Sequence, residues 1–156
     1  MIGETIDPFS YKYDYDESKE FITLSRDSFA ILENKLSDNT ADYRCEIKIN
    51  ANDFMKVCKN NNAIPVILAS ILMSKGIFEL YPDLKKTINA NIATNIRDAL
   101  GYPNTYKNCV KSMILPYSKE LAKKSLKEQA TKFRQILNAK RDRDYCRKEA
   151  FNDWTI

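Results

Sequence analysis

The 156-residue chain has no histidine. Ser-His-Asp and Cys-His activation of a nucleophile are therefore closed to it, and so are zinc sites that need imidazole. Glycine occurs three times, at Gly3, Gly76 and Gly101. Positions so far apart cannot build a Walker loop or a dinucleotide-binding turn, in which clustered glycines let the backbone approach phosphate. The four cysteines, Cys45, Cys58, Cys109 and Cys146, include no C-x-x-C pair, so ribbon-type zinc sites and dithiol redox motifs are not expected. The first ten residues carry two acids and no apolar core. No secretory signal is read there, and reduced, intracellular thiols are expected. The longest apolar run, 63–73, is broken by Pro65 and Ser70 and falls well short of the ~20 residues that cross a bilayer. Cofactors and metals are not expected.

Charge divides what is present. Residues 1–46 hold 11 acids and 5 bases, whereas 47–156 hold 10 acids and 20 bases. An overall net charge of +4 thus conceals an acidic head and a basic body, and the two invite different partners. In the head, Tyr11, Tyr13 and Tyr15 alternate with Lys12, Asp14 and Asp16, and residues 20–24 and 43–49 also alternate. That is the period of a half-buried strand. Residues 28–36 place Phe29, Leu32 and Leu36 on one helical face. The tyrosine cluster reads either as a docking surface for a basic partner or as an edge strand or loosely ordered terminus.

The body reads as helical. Asn52 and Asp53 can cap a first helix carrying Phe54, Val57 and Cys58, and Pro65 opens a second, apolar all round, that Gly76 would close. Leu84, Ile88, Ile92, Ile96 and Leu100 recur every fourth residue and predict a helix between Pro82 and Gly101. Tyr106, Cys109, Val110, Met113 and Ile114 predict another, and Pro116 interrupts it. A long amphipathic helix is expected from about 117 to 140 or beyond. The expected fold is mainly α: a small N-terminal α+β or β-rich module over 1–50, then a bundle of four or five helices over 51–156.

Two surfaces of that long helix are candidates for function. Leu121, Leu126, Phe133, Ile136 and Leu137 cover an arc of about 160°, wider than the ~100° one packed side requires, which points to a partner interface. Lys123, Lys124, Lys127 and Arg134 fall largely on the rest. Eleven bases and five acids between Lys119 and Glu149 suit a nucleic-acid-binding helix. They also suit a solvated face with pairs such as Glu120–Lys124 and Glu128–Lys132, and no interleaved aromatics offer base stacking. Asp142, Asp144 and Glu149 make a poor metal set, because neighbouring arginines are better partners for them.

The segment Ile64-Pro65-Val66-Ile67-Leu68-Ala69-Ser70-Ile71-Leu72, followed by Lys75-Gly76-Ile77-Phe78-Glu79-Leu80-Tyr81-Pro82, resembles a subunit of GINS, the assembly of the eukaryotic replicative helicase. There a helical domain opens on Pro-(Leu/Val)-Trp-Leu-Ala-x-x-Leu; here Ile67 stands in place of the Trp. An apolar helix over 87–100, the element Phe133-Arg134-Gln135-Ile136-Leu137 and the ending Arg147-Lys148-Glu149-Ala150-Phe151-Asn152-Asp153-Trp154 extend the resemblance over 52–156. They favour the third partner-of-Sld-five type. The resemblance implies a non-enzymatic subunit acting in DNA replication in the nucleus, as part of the CMG helicase. Its partners would be the other GINS subunits in a heterotetramer and, through them, the MCM ring and the RecJ-like component, with at most an indirect or weak contact to DNA. Trp154 joins the expected interface. The alternative is a free-standing helical nucleic-acid-binding protein that uses the basic C-terminal helix.

Overall fold

The computed structural model describes residues 7–10, 13–20 and 46–152. The head alternations at 20–24 and 43–45 and the helix expected at 28–36 fall largely or wholly outside them, as does Cys45. After a 3-10 turn at Pro8–Ser10, the described chain forms α1 (Ala51–Asn60), α2 (Pro65–Leu80), β1 (Ile88–Asn95), α3 (Arg97–Leu100), β2 (Val110–Tyr117), α4 (Lys119–Ala122), α5 (Leu126–Lys140) and α6 (Arg143–Asn152). β1 and β2 make a two-stranded antiparallel sheet. The helical bundle is thereby corrected to a mixed α/β fold.

The correction has a physical cause. A repeat of four fits a helix, where each step drifts only about 40°, and it fits a strand just as well, as two periods of two. The intervening residues decide. Asn89, Asn91 and Asn95 alternate with β-branched Ile88, Ile92, Thr94 and Ile96; Asn is a poor helix former and Ile packs well on a pleated surface. Ile88 and Ile92 are buried, and Ile96 just beyond the strand is 4% exposed. In β2, Met113, Leu115 and Tyr117 are buried on one side while Val110 and Ser112 are exposed. Pro116 sits inside this strand rather than ending a helix. A strand with one unpaired edge accommodates a residue without N–H.

Gly76 does not close α2. The helix runs through it to Leu80, and a Cβ added at Gly76 would meet nothing within 4 Å. The expected long helix is three. α4 ends before Ser125, whose hydroxyl and backbone N–H bond the Glu128 carboxylate (2.6 and 2.9 Å) while the Glu128 N–H donates back to the Ser125 hydroxyl (3.3 Å). This is a capping box. These bonds also hold the Glu128 carboxyl below the usual range. Asp142 then accepts the N–H groups of Asp144 and Tyr145 (2.9 and 3.3 Å) and starts α6.

The chain forms two compact units: Met1–Leu24, Asn91–Leu115 and Lys132–Ile156 in one, Ser25–Ala90 and Pro116–Thr131 in the other. In the first, Ile92, Leu100, Cys109, Met113, Leu115, Phe133 and Cys146 are buried, and α3 packs on α6. In the second, α1 packs on α2, and Ile67, Leu68 and Ile71 are buried with Tyr117 and Gln129. Gln129 is a fully buried amide whose hydrogen-bonding groups are used. Its Oε1 accepts the Tyr117 hydroxyl (2.8 Å), and its Nε2 donates to the carbonyls of Ala122 (3.3 Å) and Lys124. The Tyr117 ring meets Phe78 at 5.9 Å, and burial pushes its hydroxyl pKa up to about 12.

Ser125→Ala should cost about 1 kcal/mol, the usual worth of an N-cap, and Phe133→Ala about 3–5 kcal/mol as a buried ring is lost. Urea unfolding of the full chain followed by circular dichroism measures both, and the order of the two losses checks this account.

Candidate interaction face

α2 is a 16-residue helix whose two charged residues, Lys75 and the exposed Glu79, border an uncharged outer stripe without entering it. Ile67, Leu68, Ser70, Ile71 and Ser74 are buried against its own unit. On the far side lie Pro65, Val66, Ala69, Leu72, Met73, Gly76, Ile77 and Leu80, which at about 100° per residue share an arc of about 140°. Met73 is 71% exposed and Leu80 76%. Lys75 and Glu79, the only charged residues of the helix, lie outside that arc. In the same unit Met55, Val57, Ile47 and Ile49 are also exposed. Singly exposed apolar residues are ordinary on any protein, but a contiguous uncharged stripe marks a surface built to be covered. No described helix is long and apolar enough to cross a membrane. α1 and α2 pass the length and composition test only together, across a 90° bend.

Of the residues expected at a partner interface, Phe133, Ile136 and Leu137 are 0, 5 and 4% exposed and belong to the fold's own core. Leu121 and Leu126 are half-buried, and Trp154 lies outside the described residues. A partner would have to open the fold to reach the first three. The excess apolar arc in the sequence came from treating three helices as one. The α2 stripe went unrecognised because an all-apolar helix reads as core on every side; the signal available was the lone Gly76 amid large side chains.

The basic face divides in the same way. Lys123, Lys124 and Lys127 are exposed in one unit, where the chain leaves α4 and enters α5, while Arg134 is half-buried in the other unit. Nearby, Lys119 lies 5.9 Å from the centroid of the Phe78 ring and donates to the Pro82 carbonyl. Glu120 sits among these lysines, its carboxyl held low first by its own backbone N–H and then by Ser118.

The acids near the C-terminus serve the first unit as an anchor. Lys19, not the neighbouring arginines, is the partner of Asp142 (3.3 Å) and Asp144. The Asp144 hydrogen bond, ahead of those to Asp142, keeps the Lys19 ammonium charged to higher pH than usual. Burial opposes the charged form of Asp142, but the Tyr145 N–H, Lys19 and the Asp144 N–H outweigh it, so its carboxyl also sits low. Arg147 completes the attachment. It donates to the Ala99 and Asp14 carbonyls (both 3.2 Å) and lies 5.3 Å from the Tyr13 ring centroid. Tyr13 is 9% exposed and donates its hydroxyl to the Pro8 carbonyl.

Cys58, Cys109 and Cys146 are free and buried. Burial raises the Cys109 thiol and pushes Cys146 up to about 11, so both are thiols rather than thiolates at neutral pH. No cluster of three or more Cys, Asp or Glu suited to a metal ion occurs among the described residues. No protein-family model matches the chain, and neither a curated protein nor a solved structure does.

The linkage of the anchor gives a signed pH dependence. Asp142 has a lowered carboxyl pKa, so its contribution is complete above the usual 3.8 and is lost as pH falls through the folded value. Lys19 has a raised pKa, so its contribution is complete below 10.5 and is lost as pH rises through its folded value. Amide exchange of residues 13–20 should therefore be slowest, relative to intrinsic rates, between those limits. Lys19→Met should speed it there. Equal exchange rates in the variant would remove the anchor.

Proposed function

We propose that the protein is a non-enzymatic association module that docks the outer face of α2 on an apolar helix of a partner polypeptide. One observation carries this reading: an uncharged apolar stripe along the whole helix, bordered by Glu79, with Met73 and Leu80 largely exposed. Ala69 and Gly76 lie a heptad apart on that side, and the site of the missing Gly76 Cβ is open. A glycine inside a helix costs roughly 0.5–1 kcal/mol against alanine. The chain's own packing does not call for it, whereas a closely approaching helix does. The face of α2 measures about 24 Å by 10 Å, well short of the roughly 800 Å² per partner of a stable interface. Two copies meeting through α2 alone therefore bury too little. A distinct partner that also covers Val57, Ile47 and Ile49 fits better.

The assembly that the sequence resembles, GINS, is the specific candidate. It would place the chain beside the other GINS subunits, with the MCM ring and the RecJ-like component reached through them, in nuclear DNA replication. The support for it is the 64–82 segment, which forms α2, together with the ending around Arg147. The stretch 87–100, taken as a helix in that comparison, is largely strand and adds nothing. The alternative, nucleic-acid binding, draws on exposed Lys123, Lys124 and Lys127.

Met73→Asp with Leu80→Asp should leave stability within about 0.5 kcal/mol, as surface changes do, and should abolish co-purification with co-expressed GINS subunits. Leu68→Asp, at a site 1% exposed, should unfold the chain, because an unpaired charge in a core is very costly. If the doubly substituted chain still assembles, α2 is not the interface. A steep fall of DNA affinity with salt that Lys124→Glu with Lys127→Glu removes would favour the nucleic-acid alternative.

A further inference from the structure

Just ahead of α1, residues 46–50 lie in no helix, turn or ladder, and every one of them is exposed. Ile47 is 79% and Ile49 61% exposed. Asn50, where the segment meets the helix, has an extended backbone (φ −63°, ψ 120°). Among the described residues no backbone N–H or carbonyl of 46–49 bonds another backbone group; the first such bond runs from the Phe54 N–H to the Asn50 carbonyl (3.0 Å). Among them, too, the sheet holds only β1 and β2 and does not take the segment up.

Yet its sequence is that of a strand. Ile47 and Ile49 fall on one side of an extended chain, and Glu46, Lys48 and Asn50 on the other. Isoleucine favours the pleated, half-buried surface of a sheet. A strand whose N–H and C=O groups are unused is a template for another chain. Such pairing takes its affinity from the main chain and its specificity from alternate side chains. Here those side chains carry one charge of each sign, two residues apart. Antiparallel pairing centred on Ile47 sets Glu46 opposite Lys48 of the other strand, and does so twice, with Ile47 against Ile47 between them. Pairing centred on Lys48 would set that ammonium against its own copy. Parallel, in-register pairing would oppose like charges at both positions. Like charges directly opposite are destabilising, so the segment complements itself in the register centred on Ile47.

We propose that residues 46–50 pair with the same residues of a second copy of this chain, as an antiparallel two-stranded ribbon centred on Ile47. The contact is isologous, each copy offering the same surface to the other. It goes beyond the docking of α2 and does not rest on it. A two-stranded ribbon is marginal alone and gains from a cover on its apolar side. The isoleucine side stays open after pairing, so the partner of α2 can still cover Ile47 and Ile49. The dimer by itself is therefore weak.

Sedimentation equilibrium of the full chain tests this, in a Met73→Asp, Leu80→Asp background so that α2 adds nothing to association. A monomer–dimer equilibrium with a Kd in the high-micromolar range is expected, as for a small, transient contact. Glu46→Lys alone and Lys48→Glu alone should each weaken it about tenfold or more, since either change sets two like-charged pairs in the ribbon. An equimolar mixture of those two variants should dimerise as well as the parent, and so should one chain carrying both changes. Several results would each overturn the proposal: a chain that stays monomeric at millimolar concentration, a dimer that the α2 substitutions abolish, single variants that dimerise unchanged, or a charge-swapped chain that does not recover. The same charge series in the unsubstituted chain decides the matter should the α2 background fail to fold.

Discussion

One guanidinium holds together three stretches of the first unit. Arg147 bonds the Ala99 carbonyl from 48 residues away in sequence and the Asp14 carbonyl from 133 away, and it faces the Tyr13 ring. Arginine is suited to this because its planar fork presents several donors in fixed directions and stacks on aromatic rings. Other links follow the same course. Lys107 pairs with Asp7 at 3.4 Å, Lys19 with Asp142 and Asp144, and Arg97 ties the loop between the strands through the carbonyls of Thr105 (3.1 Å) and Lys107 (2.7 Å). Of the bases between Lys119 and Glu149, Arg147 is thus turned inward, onto carbonyls and a ring, while Lys123, Lys124 and Lys127 stay exposed.

The second unit solves a different problem. It contains α2, whose composition would suit the centre of a larger core, but only one side of it is covered. Burial of apolar surface is worth about 25 cal/mol per Å², so an exposed side of this kind represents stabilisation that folding of the described residues leaves unrealised. Association with another apolar surface would realise it. The reading as an association module is a statement about where that remaining driving force is directed.

What was legible in the sequence depended on whether a pattern had one physical solution. α1 was legible from Phe54, Val57 and Cys58, but its cap is Asn50, whose side chain accepts the N–H groups of Asn52 and Asp53, rather than Asn52 or Asp53 themselves. The buried side of α2 was legible from the apolar run that begins it. β1 was not, since isoleucine at every fourth residue satisfies two geometries, and only the asparagines between them break the tie. The division of the long helix was written in Ser125-x-x-Glu128 and in Asp142, but the apolar spacing runs across both points and no Gly or Pro follows Pro116. Phe133, Ile136 and Leu137, expected at an interface, are core because Leu121, which widened the apolar arc, belongs to a different helix.

The links through Arg147 and Lys19 also bear on the order in which the molecule forms. Asp14 and Lys19 leave the ribosome well over a hundred residues before the partners that hold them, 133 and 123 positions later. α1 and α2 need only each other to begin packing. Contacts of such long sequence separation come late, since loop closure must precede any gain. The stretch bearing Asp14 and Lys19 therefore gains its contacts with Asp142, Asp144 and Arg147 only once α6 is made, after the Asp7–Lys107 pair has become possible.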